Sequence, residues 1–147
     1  MKYILLKIIF WIIIIYFCHL ILIKDIRICL CTIGKKENLY AREYVNYYEE
    51  LGIDKIIIYD NNEIKDEKFD LVLKDYIEKK FVKIINIRGK DIKQYKVFED
   101  CRKNNYKKFD WILFYDMDEF LFLRNYTNIK DYLNQRHFDK CQRIQLS

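Results

Sequence analysis

The sequence predicts an α/β fold, a mostly parallel, doubly wound sheet flanked by helices. Strand-like apolar runs alternate with stretches of helical periodicity after residue 24, the pattern of successive βαβ units. The three glycines, Gly34, Gly52 and Gly89, all fall at breaks between those segments, where turns and helix ends need them. Trp111–Tyr115 is a run of five apolar or aromatic residues, as in a parallel strand covered on both faces.

Taken in order, Arg27–Ile33 is the first strand. Glu37–Leu51 is a helix, because Tyr40, Tyr44, Tyr47, Tyr48 and Leu51 recur at helical spacing. Gly52 stands where a left-handed cap belongs, and Ile53 is its apolar follower. Lys55–Tyr59 is a second strand, ending at Asp60-Asn61-Asn62. Lys68–Lys80 is a helix with Phe69, Val72, Leu73, Tyr76 and Ile77 on one face. Val82–Ile87 is the third strand, Gln94–Asn104 the third helix and Trp111–Tyr115 the fourth strand. A short helix near Ile129–Arg136 and a strand near Cys141–Leu146 complete the chain, with no internal repeat and no low-complexity linker.

At 147 residues the chain holds at most one domain. Its start reads differently from the rest. Ile8–Ile23 carries no formal charge, His19 is its one strongly polar interruption, and Ile4–Leu6 extends it past Lys7. A run of about 20 such residues crosses a hydrocarbon layer of about 30 Å, and a lysine near its end snorkels to the interface. No small-residue cleavage site follows, so residues 1–24 are expected to be an uncleaved transmembrane signal anchor and residues 25–147 the domain it carries. A buried core helix is the alternative. Lys2 and Lys7 precede the run while Lys24 and Arg27 follow it, so the positive-inside rule gives no orientation.

The formal net charge of +5 does not point to nucleic acid. Lys2, Lys7 and Lys24 lie in the acid-free amino-terminal segment, and the other 24 basic side chains face 22 acidic ones with interspersed signs. That balance describes a solvated surface rather than a phosphate-binding stripe. The five cysteines form no metal framework: Cys29 and Cys31 share one face of a predicted strand, Cys18 lies in the apolar run, and Cys101 and Cys141 stand apart. No Cys-x-x-Cys occurs and an odd count opposes a fully paired scaffold. Most are expected to be small buried hydrophobes, which leaves the redox compartment open.

Three sites fall at the carboxyl ends of predicted strands, where open α/β sheets bind their ligands. Gly34-Lys35-Lys36-Glu37 leads into a helix amino terminus, whose N–H groups favour anions; an ordinary turn is the plainer reading. Asp60-Asn61-Asn62 offers a carboxylate to a base or ribose hydroxyl, although Asp and Asn are also turn residues. Asp116-Met117-Asp118 delivers two carboxylates straight after an apolar strand, with Glu119 next. Burying carboxylates is costly without a cation or donors, and paired hard oxygens suit Mg²⁺ or Mn²⁺ holding a phosphate-bearing substrate. Glu119 either orients that site or pairs with a lysine.

Together these blocks resemble a glycosyltransferase of the GT-A fold, and more specifically glycosyltransferase family 92 and related family-2-like enzymes. That family opens with a strand leading into Lys-Asn-Glu, here Cys31-Thr32-Ile33-Gly34-Lys35-Lys36-Glu37, with Lys36 in place of the usual Asn. A helix with Glu-x-x-x-x-Tyr/His and a closing Leu-Gly follows, matched by Glu43–Tyr48 and Leu51-Gly52. Then come Tyr59-Asp60-Asn61-Asn62, a Gln-x-x-Ala-x-x-Asp-Cys block met by Gln94, Val97, Asp100 and Cys101, and the Trp111–Leu121 block with its Asp-x-Asp. The ordered set covers Ile28–Leu123.

The resemblance implies a membrane-anchored transferase that moves a sugar from a nucleotide-sugar donor to a glycan or other acceptor, with Mn²⁺ or Mg²⁺ as cofactor. Asp118 would ligate the metal, and Asp116 would bind the ribose or reach the ion through water. Lys36, Glu37, Asp60, Asn61 and Gln94 would line the donor site. The resemblance also implies further sequence beyond Ser147 with the acceptor site, the base and often a metal-binding His, so no catalytic residue is assigned. The expected setting is a single-pass membrane protein, in the Golgi or endoplasmic reticulum of a eukaryote or the inner membrane of a bacterium. Two other readings stand beside this one. A noncatalytic fragment or pseudoenzyme would lack turnover. An aspartate-nucleophile phosphatase of the haloacid dehalogenase type would want Thr or Val where Phe120 stands.

Overall fold

In a computed structural model the described residues are 7–14 and 25–144. Ile26–Leu133 form one compact unit and the residues before and after it a second. In the second unit, residues 7–14 are helical and Arg136–Phe138 form a 3₁₀ turn. The expected carboxyl-terminal strand is not formed over residues 141–144, and the rest of it lies outside the described residues. Among the described residues no helix is long and apolar enough to cross a membrane. Most of the anchor expected over residues 1–24 lies outside them.

The sheet unit runs β1 (Ile28–Gly34), α1 (Ala41–Glu50), β2 (Lys55–Asp60), α2 (Phe69–Val72), α3 (Lys74–Glu78), β3 (Val82–Asn86), α4 (Gln94–Asn105), β4 (Trp111–Phe114) and α5 (Ile129–Leu133). Its four strands lie in the order β3-β2-β1-β4 and all three pairings are parallel. This is the α/β sheet that the alternation predicts. Cys31 stands between Ile57 of β2 and Phe114 of β4. An inner strand and, at 7 residues, the longest of the four, β1 is buried along nearly all its length.

Two sequence expectations shift for visible reasons. Among the described residues β4 pairs only with β1, so its side chains are half-buried and Phe114 is exposed, not covered on both faces. The helix expected from Glu37 begins at Ala41, because residues 38–40 form a turn and no side chain caps the helix start. Its other end follows the reading. Gly52 takes φ 98°, its N–H donates to the Glu49 carbonyl (3.1 Å), and the Ile53 N–H donates to that of Tyr48 (3.0 Å), a Schellman closure. The helix expected over Lys68–Lys80 is split at Leu73 into α2 and α3.

Side-chain alternation divides the core between the two faces of the sheet. On one, Cys29, Cys31, Ile57 and Tyr59 pack with Ile87 and with Val97 and Cys101 of α4. On the other lie Ile28, Leu30, Ile56 and Ile58, all buried. The expectation that most cysteines are unpaired buried hydrophobes needs correction at one pair: Cys31 and Cys101, 70 residues apart, form a disulfide from β1 to α4. Cys29 remains a buried free thiol.

Candidate functional site

Parallel strands bring their carboxyl ends to one end of the sheet, so the three sequence-selected loops after β1, β2 and β4 converge there. Gly34, the last residue of β1, makes this closeness possible. A Cβ on it would lie 2.6 Å from Phe69 Cζ and 3.2 Å from the sulfur of Met117, the residue between Asp116 and Asp118. Gly34→Ala is therefore expected to cost about 1–3 kcal/mol by overpacking. It should also displace the Asp116–Asp118 turn, read as a lower urea midpoint together with shifted backbone amide NMR signals of residues 116–118.

The turn after β4 is tied tightly. Glu119 Oε2 accepts the Asp116 N–H (3.1 Å), and the Glu119 N–H donates to the Asp116 carbonyl (3.1 Å). Glu119 is thus tied to the Asp116 backbone within its own turn. Tyr48 OH donates to the Glu119 carbonyl (3.0 Å) and accepts the Leu121 N–H (3.2 Å), while Tyr47 OH donates to the Leu121 carbonyl (2.7 Å). The Phe120 ring packs among Tyr44, Tyr47 and Tyr48, so an aromatic ring occupies the position where such a phosphatase would carry Thr or Val.

Asp116 is half-buried and Asp118 exposed. Burial, followed by the charges of Glu119 and Asp118, pushes the Asp116 carboxyl above its usual range, and a hydrogen bond from Gln94 opposes the shift. That bond, from Gln94 Nε2 to Asp116 Oδ1, brings together two residues 22 apart in sequence that the resemblance places in one site. Glu37 belongs to the same field: burial raises its carboxyl, a hydrogen bond from the Lys35 backbone opposes this, and the charges of Asp118 and Asp116 add to the rise. Crowded carboxylates of this kind would be relieved by a cation.

Among the described residues no three His, Cys, Asp or Glu side chains are grouped closely enough to hold a metal ion. Two carboxylates with phosphate oxygens and water completing the shell is nevertheless how Mg²⁺ and its relatives are commonly held. Asp116 and Asp118 fit that role.

The loop after β1 engages part of its own backbone. The Lys35 N–H donates to Glu37 Oε2 (3.0 Å) and the Lys36 N–H to Asn62 Oδ1 (2.5 Å), so two of its amides are already used. Lys36 is exposed and takes φ 66°, a left-handed conformation unfavourable for a residue with a long side chain. Asn tolerates that region well, which gives a physical reason for the Asn that the family pattern places here. Lys36→Asn is expected to stabilise the fold by about 0.5–1 kcal/mol, measured as a higher urea midpoint.

The loop after β2 places its residues inward. Asn61 donates its N–H to the Gly34 carbonyl (2.9 Å), extending the β1–β2 ladder. Asp60 is only 2% exposed: Oδ1 accepts the Asn62 N–H (3.0 Å) and Oδ2 the guanidinium of Arg88 (3.1 Å). Asn62, fully buried, also donates to Asn38 Oδ1 (2.9 Å) and so ties this loop to the one carrying Glu37. Sequence reasoning missed Arg88, Tyr47 and Tyr48 as site-building residues and gave Asn62 no role beyond its place in the Asp60-Asn61-Asn62 turn. Asn62 and the tyrosines did stand in the matched blocks, whereas Arg88 left no signal.

The sequence model of Glycosyltransferase family 92 matches residues 24–147. A glycosyltransferase family 92 protein of Ricinus communis is 28% identical over 108 residues, covering 74% of this chain and 19% of that protein. One of Oryza sativa subsp. japonica is 26% identical over 110 residues, 75% of this chain and 18% of that protein. The chain thus spans about a fifth of the length of these curated relatives. No solved structure matches it.

Proposed function

The chain belongs to glycosyltransferase family 92, and from that premise we propose that it forms the donor-binding part of a metal-dependent glycosyltransferase acting on a nucleotide-sugar donor and a glycan or other acceptor. The observation that carries this reading is the pair Asp116 and Asp118 at the exit of β4, held by Glu119 and Gln94 beside Glu37.

In this reading Asp118 and Asp116 hold Mn²⁺ or Mg²⁺. When bound, the ion supplies charge neutralisation to the diphosphate leaving group as the bond to the anomeric carbon breaks. The protein's own part is positional. The Glu119 turn fixes Asp116, Gln94 fixes the carboxylate's orientation, and the loops of Lys36–Glu37 and Asp60–Asn61 form the neighbouring wall for the donor. The apolar run Ile8–Ile23 supports membrane anchoring. The Cys31–Cys101 disulfide supports a domain on the oxidising side of that membrane, the lumen of the Golgi or endoplasmic reticulum or the outer side of a bacterial inner membrane.

The test is calorimetry on the full chain in detergent with UDP and GDP as probes, with Mn²⁺ or with EDTA. Mn²⁺ should raise affinity for one of them by about tenfold or more. Equal affinity in both conditions would overturn the metal-dependent donor site.

A further inference from the structure

Three of the four residues of the Gln94–Cys101 block, Val97, Asp100 and Cys101, share a property that the donor-site reading leaves unused: each one fixes α4 on the sheet. Gln94, Val97, Cys101 and Asn105 lie at i, i+3, i+7 and i+11, a single stripe along the helix. Val97 and Cys101 are buried in the core face. Cys101 is bonded to Cys31 of β1. Its neighbour Asp100 accepts a hydrogen bond from Tyr59 OH of β2 (2.6 Å). Consecutive residues of one helix are thus tied to two different strands, which opposes both sliding and rotation.

Gln94 lies at the other end of this arrangement. It is the first residue of α4, and the helix start has no side-chain cap to place it. Its nearest covalent reference to the sheet is the disulfide seven residues on, about 10 Å along the axis at 1.5 Å per residue. A tilt of about 10° over that length moves Gln94 by about 2 Å, enough to break a hydrogen bond.

We infer that Cys31, Cys101, Tyr59 and Asp100 are positioning residues for the donor site, holding α4 so that Gln94 meets Asp116, and that Gln94 acts on Asp116 rather than as a donor ligand. The importance of that contact for the donor rests on the metal-dependent reading above. The geometry of α4 does not.

The experiment follows the Gln94 side-chain amide by NMR in the full chain, without metal, and then Mn²⁺ affinity by electron paramagnetic resonance. Tyr59→Phe keeps the ring and removes only the bond to Asp100; Cys31→Val with Cys101→Ala removes the disulfide. In both variants exchange of the Gln94 side-chain protons should quicken by about tenfold, while amides of β2 and β1 keep their protection relative to one another. Mn²⁺ binding should weaken by a similar factor, and Gln94→Ala should weaken it as much. Combining Gln94→Ala with either variant should cost nothing further. Unchanged Gln94 exchange, exchange that rises only together with the whole sheet, or additive losses of Mn²⁺ affinity would each overturn the positioning role. A wild-type chain that binds no Mn²⁺ but shows the selective exchange change would sink the metal reading and leave the positioning role standing.

Discussion

Asp118→Ala is expected to abolish the gain in UDP or GDP affinity that Mn²⁺ confers, with little change in fold. Asp118 is the exposed member of the pair, and among the described residues no hydrogen bond or ion pair engages its carboxylate. It therefore has both oxygens to offer, whereas Asp116 is already engaged by Gln94. Outer-shell changes at metal sites cost roughly 10- to 100-fold, so loss of a direct ligand should cost at least that. The fold should hold, since surface substitutions of this kind stay within about 0.5 kcal/mol. Asp118→Asn separates charge from shape and should resemble the Ala variant. A Mn²⁺ effect of equal size in wild type and variant would return Asp118 to an ordinary solvated turn.

The largest loss of stability is expected at Arg88→Ala. The guanidinium is 5% exposed against an Asp60 carboxylate 2% exposed. Besides Asp60 it donates to the carbonyls of Glu67 (3.0 Å), Glu63 (2.6 Å), Ile64 (3.2 Å) and Asp66, so one side chain organises the whole loop after β2. Removing it strands a buried carboxylate, which costs about 3–5 kcal/mol, a large share of a fold worth about 5–15 kcal/mol. Asp60→Asn should cost less, because the carbonyls still hold the guanidinium. Urea unfolding of the two variants gives the comparison. A loss under about 1 kcal/mol at Arg88, within the usual range for surface charges, would mean that water replaces the latch. The same burial reframes Asp60: a weaker nucleoside affinity in Asp60→Ala, if accompanied by lost stability, reports on the loop and not on a direct contact.

The fold class was legible because β1, β2 and β3 are apolar runs punctuated by glycines, and because a Gly52-Ile53 helix end has a sequence signature. The meeting of the Asp116–Asp118 turn with the end of β1 was legible on similar grounds. Of the two acids at the end of the β4 run, Asp116 is half-buried, where a cation or hydrogen-bond donors offset the cost, and Asp118 stays exposed. What escaped reading depends on partners without a sequence trace. Arg88 donates mainly to backbone carbonyls, which any residue supplies, so a lone Arg after a strand looks like surface charge. The Cys31–Cys101 bond spans 70 residues, two complete crossovers and part of a third, beyond any spacing rule. The covering of β4 was overread because composition reports how apolar a strand is and not whether it has a neighbour on each side.

The position of Cys29 has a consequence for how the protein is made. Two thiols two residues apart on the same face of β1 compete for Cys101 during maturation, and only one gives the native isomer. Closure through Cys29 would draw α4 about 7 Å toward the strand's amino end and carry Gln94 away from Asp116, while leaving a compact chain with the same mass and disulfide count. Once folded, Cys29 is a poor corrector: burial pushes its thiol up to about 12, leaving little thiolate for exchange. Sorting therefore belongs to the interval before β1 is enclosed. Yield in a heterologous host should depend on disulfide isomerase activity rather than on oxidising power alone.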